Sequence, residues 1–269
     1  MRVEAYSSGC PGRDNEDFAI WDDDVAVLLD GAGMPDALHP PCVHGVSWFA
    51  RTLGTALHSA ASSSETLQSA LALAIAHTAD LHRDTCAVDD ALSPSATVAV
   101  LRMRGDFVEW LVLGDCTLLF ERGHSVEAIS DDRLASLARK DRAAMKAAPL
   151  GSAERRQLHF RLVQAERALR NRPGGYWVAA ADPRAAEAAL TGAYLVDDVE
   201  RAALLTDGAA RLTDTFALTD WAGCLDILQD QGPEALIGRV RAAELADESM
   251  THWPRSKPHD DATVVYIRP

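Results

Sequence analysis

The chain has 269 residues, with 26 Lys and Arg against 40 Asp and Glu and a formal net charge of −14. That balance argues against a general nucleic-acid binder, which neutralises phosphates with clustered Lys and Arg. With 48% hydrophobic and 25% charged residues, the composition excludes disorder along most of the chain.

The N-terminal stretch MRVEAYSSGCPGRDNED lacks the apolar core of a signal peptide, and no apolar run approaches the ~20 residues of a membrane span, so a cytoplasmic protein with no membrane partner is expected. A short apolar run, Val25 to Leu29, reads as a strand, and helical patterns follow at Val43 to Ser59 and Glu65 to Thr85. In the second helix Leu67, Leu71, Ala74, Ile75 and Leu81 approximate one apolar face, and Ser62-Ser63-Ser64 with Glu65 and Thr66 supplies the loop and N-cap. Strands are expected at Thr97 to Met103 and Phe107 to Leu113, joined into a hairpin at Arg104-Gly105-Asp106, and then at Cys116 to Phe120. A helix at Arg133 to Ala147, a strand at Tyr176 to Ala180 and a helix at Pro183 to Leu190 come next. The pattern closes with a strand at Ala202 to Thr206, helices at Ala217 to Gln229 and Pro233 to Ala246, and a strand at Thr263 to Ile267. Continuous apolar strands suit a sheet covered on both faces, hairpins suit antiparallel pairing, and no repeat or linker divides the chain. A single α+β domain over residues 1–269 is therefore expected. Five scattered cysteines, Cys10, Cys42, Cys86, Cys116 and Cys224, contain no Cys-x-x-Cys pair and read as reduced thiols with no zinc site.

The aspartates cluster where strands begin and end. Asn15-Glu16-Asp17 comes just before a strand, Asp30-Gly31 and Asp207-Gly208 end apolar runs, Gly114-Asp115 interrupts another, and Asp260-Asp261 precedes the last. An apolar strand ending in Asp-Gly delivers a carboxylate to the rim of a sheet and lets a backbone or ligand approach closely, although Asp-Gly pairs also form ordinary solvated turns. Carboxylates brought together repel one another unless a cation neutralises them, and oxygen donors without Cys or His select Mg²⁺, Mn²⁺ or Ca²⁺. Two such ions polarise a phosphoryl group and acidify water, which is a hydrolase arrangement. The twelve-residue Asp-x-Asp-x-Asp-Gly loop of a Ca²⁺ buffer is absent from the sequence.

In this order the motifs resemble the metal-dependent serine/threonine protein phosphatases of the 2C type, the PPM family. The likeness runs from Arg13 to Ile267: Arg13-Asp14-Asn15-Glu16-Asp17, Asp30-Gly31-Ala32-Gly33, Ser95-Ala96-Thr97-Val98, Leu113-Gly114-Asp115, Leu205-Thr206-Asp207-Gly208 and Asp260-Asp261-Ala262-Thr263-Val264-Val265. The resemblance implies two packed antiparallel sheets flanked by helix pairs. It also implies hydrolysis of phosphoserine or phosphothreonine in a protein substrate by a water bridging two Mn²⁺ or Mg²⁺ ions, without a phosphoenzyme. Asp30 would bridge the ions, with Glu16 and the Gly31 carbonyl on one side and Asp207 and Asp260 on the other; Asp17 would order metal-bound water, Asp115 would help hold a third, weaker ion, and Arg13 would clamp phosphate.

The sequence departs from the family pattern at several places. Arg13 lies four residues before Asp17 rather than five, Pro94-Ser95 replaces a glycine region, and Cys116 stands for the usual serine. Ala32 stands where some eukaryotic members carry a histidine, and the nearby His39 and His44 read as cap or surface residues rather than acids. A flap-like insert at about 131–175 is basic, with ten Lys and Arg against three acids between Arg139 and Arg172, so Arg155 and Arg156 are candidate docking residues for an acidic phosphosubstrate, against the plainer reading of a solvated helix face. The alternative to an enzyme is a catalytically weak or inactive phosphatase fold acting as a metal-gated binding or regulatory module.

Overall fold

In a computed structural model, which describes residues 1–33 and 41–269, the chain forms two five-stranded antiparallel sheets packed face to face between layers of helices. His39 lies outside the described residues. The strands are β1 (Arg2–Ser8), β2 (Phe18–Trp21), β3 (Val25–Ala32), β4 (Ser95–Arg104), β5 (Phe107–Leu113), β6 (Thr117–Arg122), β7 (Ser125–Ile129), β8 (Leu190–Leu195), β9 (Arg201–Leu205) and β10 (Ala262–Arg268). One sheet runs β1-β10-β9-β6-β7 and the other β2-β3-β4-β5-β8. The helices are α1 (Val46–Ser63), α2 (Leu67–His82), α3 (Arg133–Ser136), α4 (Arg139–Ala147), α5 (Ala153–Ala168), α6 (Asp207–Asp214), α7 (Trp221–Gln231) and α8 (Pro233–Ala246).

The alternation of side chains explains the continuous apolar strands. Val25, Val27 and Leu29 of β3 face α1 and α2, whereas Ala26 and Leu28 face the opposite sheet. On the other side, Ala203 and Leu205 of β9 face α6, α7 and α8, while Ala202 and Leu204 meet the first sheet. Both faces of each central strand are thus removed from water, which selects Val, Leu and Ala at every position. Gly105 and Asp106 make the tight turn of the β4–β5 hairpin, with Gly105 at φ +58. Thr66 caps α2 by accepting from the Ser69 N–H, and Ser69 returns the bond to the Thr66 N–H.

Several expected elements differ. Tyr176 to Ala180 is not a strand but extended chain held by isolated bridges, Ala179 to Ala96 and Tyr176 to Arg170. The helix expected at Arg133 to Ala147 breaks at Ala138, φ +49, into α3 and α4, and that expected at Pro183 to Leu190 is a 3-10 turn over Pro183–Ala188. The helix expected from Ala217 begins at Trp221, where Asp220 caps it by accepting from the Gly223 N–H. Leu81 is 54% exposed, because the buried stripe of α2 continues through Thr78, Ala79 and His82 instead. Strands β1, β7 and β8 and helices α5 and α6 were not foreseen; β1, β7 and β8 lie at sheet edges and carry few buried residues. The five cysteines are free, as expected, but not all scattered, since the α1–α2 hairpin brings ligand atoms of Cys42, His44, His82 and Cys86 within 4.8 Å of one another.

Candidate active site

Antiparallel pairing puts every acidic motif at one end of the sandwich. The end of β3 meets the start of β2 through Leu29↔Phe18, and the start of β4 through Ala32↔Ser95. In the second sheet the end of β9 meets the start of β10 through Leu205↔Val264. Asp30, Asp207, Asp260, Asp115, Glu16 and Asp17 therefore leave their strands on the same rim. Arg13, Glu16, Asp30, Gly31, Asp115 and Asp207 line a pocket of ≈ 940 Å³ there, and Asp17 and Asp260 are buried beside it.

Two glycines make the close approaches possible. A Cβ on Gly31 would lie 2.5 Å from the Glu16 carbonyl oxygen, to which the Gly31 N–H donates at 3.2 Å. A Cβ on Gly208 would lie 1.9 Å from the Asp261 carbonyl oxygen, so only glycine lets the first turn of α6 rest on the Asp260–Asp261 segment. That turn holds Asp207 at the helix start, where the exposed N–H groups favour a carboxylate.

Asp17 crosses between the sheets. Its Oδ2 accepts from the Thr206 hydroxyl at 2.9 Å and the Thr263 hydroxyl at 2.7 Å, while its Oδ1 is buried with no hydrogen-bond partner among the described residues. Burial pushes its pKa up to about 8 despite the two hydroxyls, with Asp261 and Asp207 adding to the rise. Asp30 is raised well above the ordinary carboxylate range, first by burial and then by Asp17, Asp207, Asp260 and Asp115. Burial, then the charge of Asp207, raises Asp115 to about 7. The same two causes raise Asp260 to about 6 against the neighbouring Lys257 and Arg211. Glu16 is raised by burial and by Asp261. The residues present fit a pair of hard divalent cations: the donors are all oxygen, one buried carboxylate oxygen is orphaned, and the charges oppose one another. The Lys257 ammonium, paired with Asp260, shows this cluster already attracting positive charge.

The supports of this cluster, Asp261 apart, lie outside the acidic motifs that mark it in the sequence. Asp261 accepts from the Cys10 N–H at 2.6 Å and the Glu16 N–H at 2.8 Å, so it closes the loop carrying Arg13 and Glu16. Asp260 is fixed by Arg211 at 2.6 Å, and Arg211 in turn donates to Glu244 at 2.9 Å, a fully buried carboxylate that also accepts from Arg241 and pairs with His259. No local motif announces Arg211 or Glu244, because each serves a residue distant in sequence.

The basic insert forms α3, α4 and α5 and walls the pocket with Met145, Val163, Arg167 and both candidate docking arginines. Part of its charge is spent internally. Arg155 is buried and donates to the Lys146, Ala148 and Arg255 carbonyls, at 3.2, 2.9 and 2.7 Å, so it braces the insert rather than reaching outward. Arg167 donates to the Gly33 carbonyl at 3.0 Å, and Arg170 to those of Ser93 and Asp90 at 2.9 and 3.2 Å. Arg156 is exposed at the rim and donates to the Gly151 carbonyl at 2.6 Å.

Residues 3–247 match the family model for protein phosphatase 2C. Among solved structures, the chain is similar to the PPM serine/threonine phosphatase MsPP of Mycobacterium smegmatis, solved with cacodylate, at 17% identity and a TM-score of 0.57, covering 100% of this chain and 98% of that one. It is likewise similar to the catalytic domain of the phosphatase PstP solved with two manganese ions, at 18% identity and a TM-score of 0.55, covering 98% and 96%. Staphylococcus aureus Stp1 matches at 13% identity and a TM-score of 0.57, covering 100% and 95%. No curated protein matches the chain significantly by sequence. Among the described residues no helix is long and apolar enough to cross a membrane.

Proposed function

The chain belongs to the protein phosphatase 2C family of serine/threonine phosphatases, and on that premise we propose that the acidic pocket hydrolyses phosphoserine or phosphothreonine in protein substrates with two Mn²⁺ or Mg²⁺ ions. The observation that carries the proposal is the convergence of Asp30, Asp207, Asp260 and Glu16 on one rim, with a buried, unpartnered Asp17 oxygen beside them. Asp30 would hold both ions, Glu16 and the Gly31 carbonyl one of them, and Asp207 and Asp260 the other. Asp115 supplies a further carboxylate for a third, weaker ion. When bound, the ions supply Lewis acidity toward the phosphoryl oxygens and acidify the attacking water.

The protein's own groups do the positioning. Arg211, itself held by Glu244, fixes the Asp260 carboxylate, and Asp261 fixes the backbone of Glu16. The threonine pair turns Asp17 so that its unpartnered oxygen can accept from a water. Arg13, which lines the pocket, would hold the non-bridging phosphate oxygens by charge-assisted hydrogen bonds. Arg156, at the mouth, is the docking arginine for an acidic phosphosubstrate.

Hydrolysis of para-nitrophenyl phosphate with Mn²⁺, Mg²⁺, Ca²⁺ or EDTA tests the reading. Turnover should require Mn²⁺ or Mg²⁺, should fall at least roughly 10³-fold in Asp207→Ala, and should lose about 10- to 100-fold in kcat/KM in Arg13→Ala. Metal-independent turnover, or undiminished turnover by Asp207→Ala, would sink it.

A further inference from the structure

A second constellation lies outside the carboxylate cluster, and its donors are soft. Cys42 and His44 sit just before α1, His82 is the last residue of α2, and Cys86 follows one turn later. Cys86 Sγ is 3.3 Å from Cys42 Sγ and 3.4 Å from His44 Nδ1; Cys42 Sγ is 3.5 Å from His82 Nδ1 and 3.8 Å from His44 Nδ1. With Zn–S near 2.3 Å and Zn–N near 2.0–2.1 Å, the edges of a Cys₂His₂ tetrahedron come to about 3.3–3.8 Å. Four donors of the right kind thus stand at the spacing of one coordination sphere.

We propose that Cys42, His44, His82 and Cys86 form a structural Zn²⁺ site that clamps the entry of α1 to the end of α2. Two thiolates and two imidazoles select zinc over the hard cations suited to the carboxylate rim. Binding breaks two S–H bonds, forms two Zn–S and two Zn–N bonds, and releases two protons, so Zn²⁺ with two thiolates and two neutral imidazoles carries no net charge. Cys42 and His82 are 1% and 3% exposed, which protects the site and fixes half of its ligands. His44 stacks on Trp48 with ring centroids 4.4 Å apart, and the Ala87 N–H donates to the Pro41 carbonyl at 3.1 Å, so both ligand-bearing segments are held before any ion binds.

The clamp bears on the neighbouring pocket. His44, Gly45, Val46 and Ser47 form part of its wall, and Val46 packs against Gly31 and Gly33. Zinc on His44 therefore fixes the entry of α1 that covers the Asp30-Gly31 end of β3. The proposal does not rest on the phosphatase reading, because it uses different donors and is read by metal content.

The test is elemental analysis of full-length protein purified without chelator from zinc-supplemented cells, beside Asp207→Ala and the double variant Cys42→Ser/Cys86→Ser. One zinc per chain is expected in wild type and in Asp207→Ala, with nearly complete loss in the double variant. Should the double variant fail to fold, Co²⁺ added to metal-stripped wild type decides. The expected spectrum has the visible bands of tetrahedral cobalt and a thiolate charge-transfer band. Folded wild type that carries no zinc and gives no such bands overturns the site, as does a Cys42–Cys86 disulfide forming in the presence of zinc.

Discussion

Asp17 concentrates the electrostatic problem that the fold sets itself. It is buried between two threonine hydroxyls, keeps one oxygen without a partner, and has its pKa pushed to about 8. Above about pH 8 replacing it by Asn removes a buried charge that the metal-free protein must tolerate and that the metal site uses. At about pH 9 Asp17→Asn should therefore raise the melting temperature in EDTA by several degrees, a gain that fades below pH 8, while weakening Mn²⁺ binding and slowing turnover. Calorimetry and an aryl phosphate assay check both halves, and a lower melting temperature would contradict the account. Asp261 is the opposite case, since its two hydrogen bonds hold the Cys10–Glu16 loop closed. Asp261→Ala leaves two N–H groups unanswered and should cost about 1–3 kcal/mol, with Mn²⁺ affinity falling alongside, as denaturant melts and metal titration would show. Asp261→Asn, which keeps an acceptor oxygen, should recover part of the loss.

At the scale of elements, the insert separates two arginines that are adjacent in sequence. Arg155→Ala removes three carbonyl contacts from the interior of the flap and should destabilise it, seen as faster amide exchange over α4 and α5. Arg156→Glu should leave the fold intact and the aryl phosphate rate unchanged while reducing turnover of acidic phosphopeptides, an effect that added salt erases. Equal loss on both substrates would remove Arg156 from docking. This pair also shows where the sequence was legible. Central strands such as Val25 to Leu29 announce themselves because both faces are buried, and Asp-Gly at their ends marks the rim. Helix α5 was invisible because Arg155 and Leu162 alone among its residues are buried, which leaves no apolar period to read. The Cys and His cluster was invisible for another reason: its halves, Cys42-x-His44 and His82-x-x-x-Cys86, are each too short to signal, and only the α1–α2 hairpin joins them.

At the scale of the whole molecule, the rim makes stability depend on pH and metal together. Asp17, Asp115 and Asp260 have folded pKa values pushed up to about 8, 7 and 6, so the folded metal-free chain binds more protons than the unfolded chain between about pH 4 and 8. Their contribution to stability is present at the acid end and is lost as pH rises through those values. In EDTA the melting temperature should therefore fall across that window through these groups. Saturating Mn²⁺ should flatten the fall, because cations replace the missing protons, and Asp30→Asn should blunt the metal's effect. An antiparallel α+β fold was expected from the strands and the sandwich from the family resemblance, but the burial that creates this dependence was not, since it arises only when six carboxylates from distant strands share one rim. The most direct test of the account is calorimetric titration of the metal-stripped protein with Mn²⁺, with phosphopeptide hydrolysis followed at each step. Two Mn²⁺ ions per chain, turnover that appears as both sites fill, and loss of both in Asp207→Ala are the predicted result. A folded chain that binds Mn²⁺ at the rim and releases no phosphate would contradict it.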